Sequence, residues 1–208
     1  MSDAAVLAVC FCVMCLGFVL FKRNKYSATF SRNTGRFFKA LATFSAFVVA
    51  LHGLCKSYSV SDLFLCIGLM VCTAADVILD IRFVPGMGVF ALGHLMYSTA
   101  YVLKCPPGTV NFIVMCVFMA TMLSLIFRYG NKLGRRKPAF ALYAMVLSIM
   151  LSLAITQKPL LLTGAALFVS SDLMLARNMI FGMNRKMDYL TLAIYYLGQF
   201  LIATSVVL

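Results

Sequence analysis

The stretch from Thr109 to Phe127 contains no charged residue, and neither does the run from Ala4 to Phe21. Each can cross the hydrocarbon core of a bilayer, which takes about 20 helical residues. Only closed barrels and α-helices satisfy their backbone groups in lipid. These runs lack the apolar/polar alternation of a barrel strand, so helices remain. Composition agrees: 63% of the 208 residues are hydrophobic and 12% are charged, against about half and a quarter in soluble domains. The expected architecture is an all-α polytopic membrane protein, one transmembrane domain over 1–208.

Breaker-rich segments such as "SRNTGR", "CPPGT", "YGNKLGRRKP" and "TQKP" divide the chain. They leave eight expected spanning helices, at roughly 4–21, 37–54, 62–81, 84–103, 109–127, 138–155, 160–178 and 189–208. "MSD" lacks the basic start of a cleavable signal, and "KRNK" follows the first apolar run, so that run is expected to be a retained helix.

The net charge of +12 invites a nucleic-acid reading, but the cations sit between apolar runs and set topology instead. Lys22, Arg23, Lys25, Arg32, Arg36, Lys39, Arg82, Arg128, Lys132, Arg135, Arg136, Lys137, Arg177, Arg185 and Lys186 belong to one side. Lys56, Lys104 and Lys158 belong to the other. This bias predicts that both termini face away from the cytoplasm. The host membrane would be the bacterial inner membrane, or the endoplasmic reticulum in a eukaryote. The eight cysteines lie mostly in apolar runs and read as small buried hydrophobes; the Cys12–Cys15 CxxC reads as packing.

A weak internal repeat is also visible. "GLMVCTAAD" (Gly68 to Asp76) aligns without gaps with "GAALFVSSD" (Gly164 to Asp172), and "LGH" at Leu92 parallels "LGQ" at Leu197. Two units of four helices, running the same way through the membrane, would fit it.

All six acids are Asp. Asp3, Asp62 and Asp188 fall at helix edges, where charge is cheap. At 1.5 Å per residue, Asp76 lies roughly 8 Å inside the cytoplasmic end of the third helix, and Asp172 about 9 Å inside the same end of the seventh. His94 and Gln199 lie about 15 Å into their helices. A membrane carboxylate costs about 2.5–3.5 kcal/mol on insertion scales, so the default reading is functional; the bland one is a polar clamp between helices. Asp80, one turn nearer the surface and close to Arg82, is expected to form an interface ion pair or to support the site. His94 and Tyr97 share a helix face, and Tyr195 and Tyr196 lie near that of Gln199. His52 reads as structural or interfacial.

Other chemistries lack their residues. Two histidines at opposite depths cannot build a three-His zinc site. "SSD" is no nucleophile elbow, and no phosphate loop or dinucleotide fingerprint occurs.

The blocks "AADVILD…FVPGMGVFALGHLMY" and "GAALFVSSDLMLA…YYLGQFLIA" resemble the YhhN family of lysoplasmalogenase-like membrane proteins. They carry its F-x-x-G, F-x-x-x-H-x-x-Y, G-x-x-x-F-x-x-S-D and Tyr-Tyr-x-x-Gln patterns; Ala75 stands where the family usually has Gly before Asp. The resemblance covers the second to eighth helices. It implies hydrolysis of the vinyl ether of a lysoplasmalogen to a fatty aldehyde and a glycerophospho-base, with Asp76 and Asp172 as the catalytic acids. The residues suit that reaction. A vinyl ether needs a proton on its β-carbon and a negative charge near the resulting oxocarbenium ion. Two carboxylates in low dielectric resist joint ionisation, so the pair would share one proton. His94, Tyr97, Tyr195 and Gln199 would position the ether oxygen or water, and Arg82 and Arg177 the lipid phosphate. No metal or cofactor is required. The partners expected are a lysophospholipid substrate and membrane lipid, not nucleic acid. A proton-coupled transporter is the alternative, since intramembrane Asp residues also relay protons; a non-catalytic lipid-binding or scaffold protein is a third reading.

Overall fold

The computed structural model describes residues 2–27, 30–182 and 184–208. Among these the chain is helical, with no strand. α1 runs Asp3–Ser27, α2 Arg32–Lys56, α3 Val60–Ile81, α4 Phe83–Lys104, α5 Thr109–Tyr129, α6 Lys137–Ala154, α7 Pro159–Phe181 and α8 Arg185–Val207. The expected eight separate helices become seven uninterrupted helical stretches among the described residues. A 3-10 segment, Gly130–Arg136, joins α5 to α6 without a break. The chain still doubles back there, because α5 and α6 pack on each other. Gly134 takes the turn at φ 54°, a left-handed backbone that a Cβ would oppose.

Six of these stretches, all except α4, are long and apolar enough to cross a membrane. α4 has three glycines, His94, Ser98 and Thr99 to dilute its apolar content. Together they make a multi-pass membrane protein. Helix starts follow local chemistry. Ser31 and Ser59 accept hydrogen bonds from the backbone N–H groups of Thr34 and Asp62, the usual serine cap. Pro138 and Pro159 occupy the first turns of α6 and α7, where their missing N–H costs nothing.

α2 packs against α1, α3 and α8, while α4 bridges α3 to α6, and α7 pairs with α8. Close crossings occur at glycines. A Cβ on Gly68 would strike the Tyr97 ring, and one on Gly164 would lie 2.9 Å from the Gly198 carbonyl. Small residues let membrane helices approach in this way. The 4+4 repeat is not established by the fold: the correspondence shown is confined to these two crossings.

Ion pairs mark both ends. At one, Asp3 meets His52 (3.0 Å) and Lys56 (2.6 Å), and Lys104 meets Asp62 (2.6 Å). Two of the three lysines assigned to that side are thus neutralised. At the other, basic end, Lys22 lies 1% exposed and bonds Asp188 at 2.6 Å, joined there by Lys25 at 2.9 Å. Asp80 also differs from expectation. Its partner is Lys39 on α2, at 3.1 Å, rather than Arg82, because α2 packs along α3 while Arg82 turns outward as the α4 cap. The cysteines are all free, and Cys10, Cys66 and Cys72 are buried as expected, but Cys12, Cys15, Cys55 and Cys116 are exposed rather than packed inside.

Candidate active site

Three helices converge on Asp76. Lys39 and Thr43, four residues apart and so on one face of α2, are turned towards it. The Lys39 ammonium stands 3.4 Å from Oδ1 and donates to the Asp76 backbone carbonyl at 3.1 Å. The Thr43 hydroxyl donates to Oδ2, as does Tyr195 from α8 at 2.8 Å. Asp76 is 2% exposed, and both its oxygens are engaged. Buried polar groups persist when so satisfied, and this set of donors suits an ionised carboxylate, which only accepts.

Asp172 has a sparser setting. Tyr143 on α6 donates to its Oδ2 at 2.8 Å. Behind Tyr143, His94 Nε2 lies 3.0 Å from the phenol oxygen and 3.8 Å from Asp172 Oδ2. His94 Nδ1 faces the Met150 sulfur at 3.1 Å. With the phenol proton directed at Asp172, the His94 N–H directed at the phenol makes a donor chain ending on the carboxyl. Oδ1 of Asp172 has no hydrogen-bond partner among the described residues.

Both acids line one cavity of about 270 Å³, with Lys22, Lys25, Lys39, Asp80 and Ser171 among its walls. Asp172 also borders a second cavity of about 320 Å³, walled by apolar side chains such as Met87, Met122, Leu133, Leu147 and Phe181. Leu79, Phe83, Phe90 and Leu175 belong to both. Asp172 therefore stands where a charged chamber meets an oily one.

The remaining residues singled out from sequence divide into two groups. Gln199 accepts from the Tyr97 hydroxyl at 2.6 Å and reaches the Tyr195 hydroxyl with its amide at 3.4 Å. Tyr97, Gln199 and Tyr195 thus form a buried chain that ends on Asp76. Phe168 packs edge-on to His94, with ring centroids 4.5 Å apart, and to Tyr195 at 5.1 Å, bracing both branches. The arginines lie apart from this centre. Arg82 is exposed and lines neither cavity. Arg177 borders the apolar one and contacts Asn178 at 3.3 Å. Lys39, Thr43 and Tyr143 were not singled out from sequence. The first two left a signal, polar residues four apart in the apolar segment "FFKALATFSAF"; Tyr143 left none.

No curated protein and no solved structure matches the chain. The YhhN family model matches residues 34–206, from within α2 to near the end of α8, leaving α1 outside. With that match over most of its length, the chain belongs to the YhhN family.

Proposed function

We propose that this protein is a lysoplasmalogenase-like hydrolase that cleaves the vinyl ether of a lysophospholipid by acid catalysis. The observation that carries the reading is the position of Asp172 between a charged and an apolar cavity. A single-chain lipid with its head in one and its tail in the other would lay the head–tail linkage against that carboxyl. In a lysoplasmalogen that linkage is the vinyl ether.

The surroundings of the two acids then divide the labour. Asp172 is the acid: its unpartnered Oδ1 delivers a proton to the β-carbon of the alkene. The electrons of the double bond form the new C–H bond, and an oxocarbenium ion results. Asp76, held ionised by Lys39, Thr43 and Tyr195, stabilises that cation. Water adds to the cationic carbon and returns a proton to Asp172. The hemiacetal collapses, releasing a fatty aldehyde and the glycerophospho-base. The Tyr143–His94 chain holds Asp172 in place. The charge bias of the ends supports a centre near the cytoplasmic surface, with both termini opposite.

The test is aldehyde release from a lysoplasmalogen by detergent-solubilised protein. Turnover should occur without sealed vesicles and vanish in Asp172→Asn. No aldehyde from the wild type, with substrate transport in proteoliposomes, would establish a carrier instead.

A further inference from the structure

A third cavity, of about 470 Å³, opens at the basic end beside the charged chamber, with Phe21, Lys25 and Asp80 as common walls. Its other walls are Asn24, Phe30, Arg32, Gly35 and Arg36. Three cations thus surround it, of which Lys25 also pairs with Asp188 at 2.9 Å; its one acid, Asp80, is engaged by Lys39 at 3.1 Å.

The cavity is built by specific contacts. Asn24 accepts from the Phe30 backbone N–H at 2.6 Å and donates to the Ser31 carbonyl at 3.2 Å, which pins the start of α2 against α1. A Cβ on Gly35 would collide with the Asn24 amide, so glycine permits that approach. Arg36 donates to Asn33 Oδ1 at 2.9 Å and reaches the Asp80 carbonyl at 3.5 Å, while its Nε is buried with no hydrogen-bond partner among the described residues. An unsatisfied buried guanidinium N–H is costly, and the oxygen of an anion such as phosphate is an acceptor whose geometry suits it.

We propose that this cavity, and not Arg82 or Arg177, is the phosphate site for the lipid headgroup, bound by Arg36 and Arg32, with Lys25 shared between the phosphate and Asp188. The identity of the lipid rests on the hydrolase reading; the phosphate chemistry does not. The spacing agrees. Asp80, on the wall of the cavity, is one helical turn from Asp76, about 6 Å along α3. Five bonds separate the ether oxygen from phosphorus in a lysoplasmalogen, also about 6 Å at the reach of an extended chain.

The experiment measures binding of a tritiated alkyl lysophospholipid, whose saturated ether cannot be cleaved this way, to purified protein in detergent. Alkylglycerol, the same tail without phosphate, is the parallel ligand. Arg36→Gln and Arg32→Gln should each weaken the phosphorylated lipid roughly tenfold, about one charge-assisted hydrogen bond, and leave alkylglycerol unaffected. Arg32 is exposed, so its substitution spares the packing if Arg36→Gln misfolds. Glycerophosphoethanolamine should compete with the lipid in wild type and fail in the variants. Undiminished lipid binding in the folded variants would overturn the proposal. So would saturable binding of inorganic phosphate, lost in Arg36→Gln, that leaves lipid affinity unchanged, since the site would then take the free ion. Phosphate-dependent binding without aldehyde release would sustain the site and overturn only the hydrolase reading.

Discussion

Asp76 and Asp172 occupy matching places in similar nonapeptides, and both face the same cavity, yet their surroundings differ sharply. At Asp76, α2 delivers an ammonium and a hydroxyl, and α8 a phenol. At Asp172, α6 delivers one phenol, and an oxygen is left open. The difference comes from the neighbouring helices and not from the segments that carry the acids. A local likeness in sequence therefore fixes where a carboxyl stands, while the tertiary neighbours decide what it can do.

Asp172→Asn tests that contrast most severely. Loss of the proton donor should slow aldehyde release by about 10²–10⁴-fold. Asp76→Asn should cost about 10²–10³-fold, as for loss of one preorganised charge partner. The opposite ranking would reverse the assignment of acid and carboxylate. Stability should respond on the other side of the comparison. Lys39→Met strands a buried carboxylate and should destabilise the fold by about 3–5 kcal/mol, read by thermal unfolding in detergent. The double variant with Asp76→Asn should recover most of this; equal losses in single and double variants would show that the pair is uncoupled. The tyrosines sharpen the contrast further. Tyr143→Phe removes the one hydrogen-bond donor to Asp172 among the described residues and should lower turnover about tenfold, near 1.4 kcal/mol. Tyr195→Phe leaves Thr43 and Lys39 in place and should cost about threefold, within the usual range for one hydrogen bond. Cys12→Ala and Cys15→Ala, on the exposed surface of α1, should change stability by no more than about 0.5 kcal/mol.

The all-helical membrane character and the approximate positions of the apolar runs were readable because uncharged runs and breakers are local properties. The union of α5 and α6 was not, since "YGNKLGRRKP" has the composition of a loop, yet Gly130–Arg136 is 3-10 helix with one non-helical residue, Gly134. Asp76 and Asp172 stood out because a carboxylate in lipid demands compensation. Their compensating partners did not. Lys39 read as a topology signal, being near a helix end, and Tyr143 as one aromatic among many. Asp80 was matched to Arg82 by nearness in sequence, whereas the packing of α2 on α3 gave it Lys39. Contacts between distant helices set these partnerships, and no spacing rule within one helix carries them.

The clasp of Lys22 by Asp188 spans nearly the whole chain. During synthesis the first helix enters the bilayer long before the last has been made, so for most of that time Lys22 has no counterion from α8. A cation in that position must stay hydrated or snorkel to the surface. The helix can settle only when the final segment arrives with Asp188, Tyr195 and Gln199 together. Closure of the chamber and neutralisation of Lys22 are thus one late event, and a nascent chain stopped before residue 188 would hold both acids in an unsealed bundle.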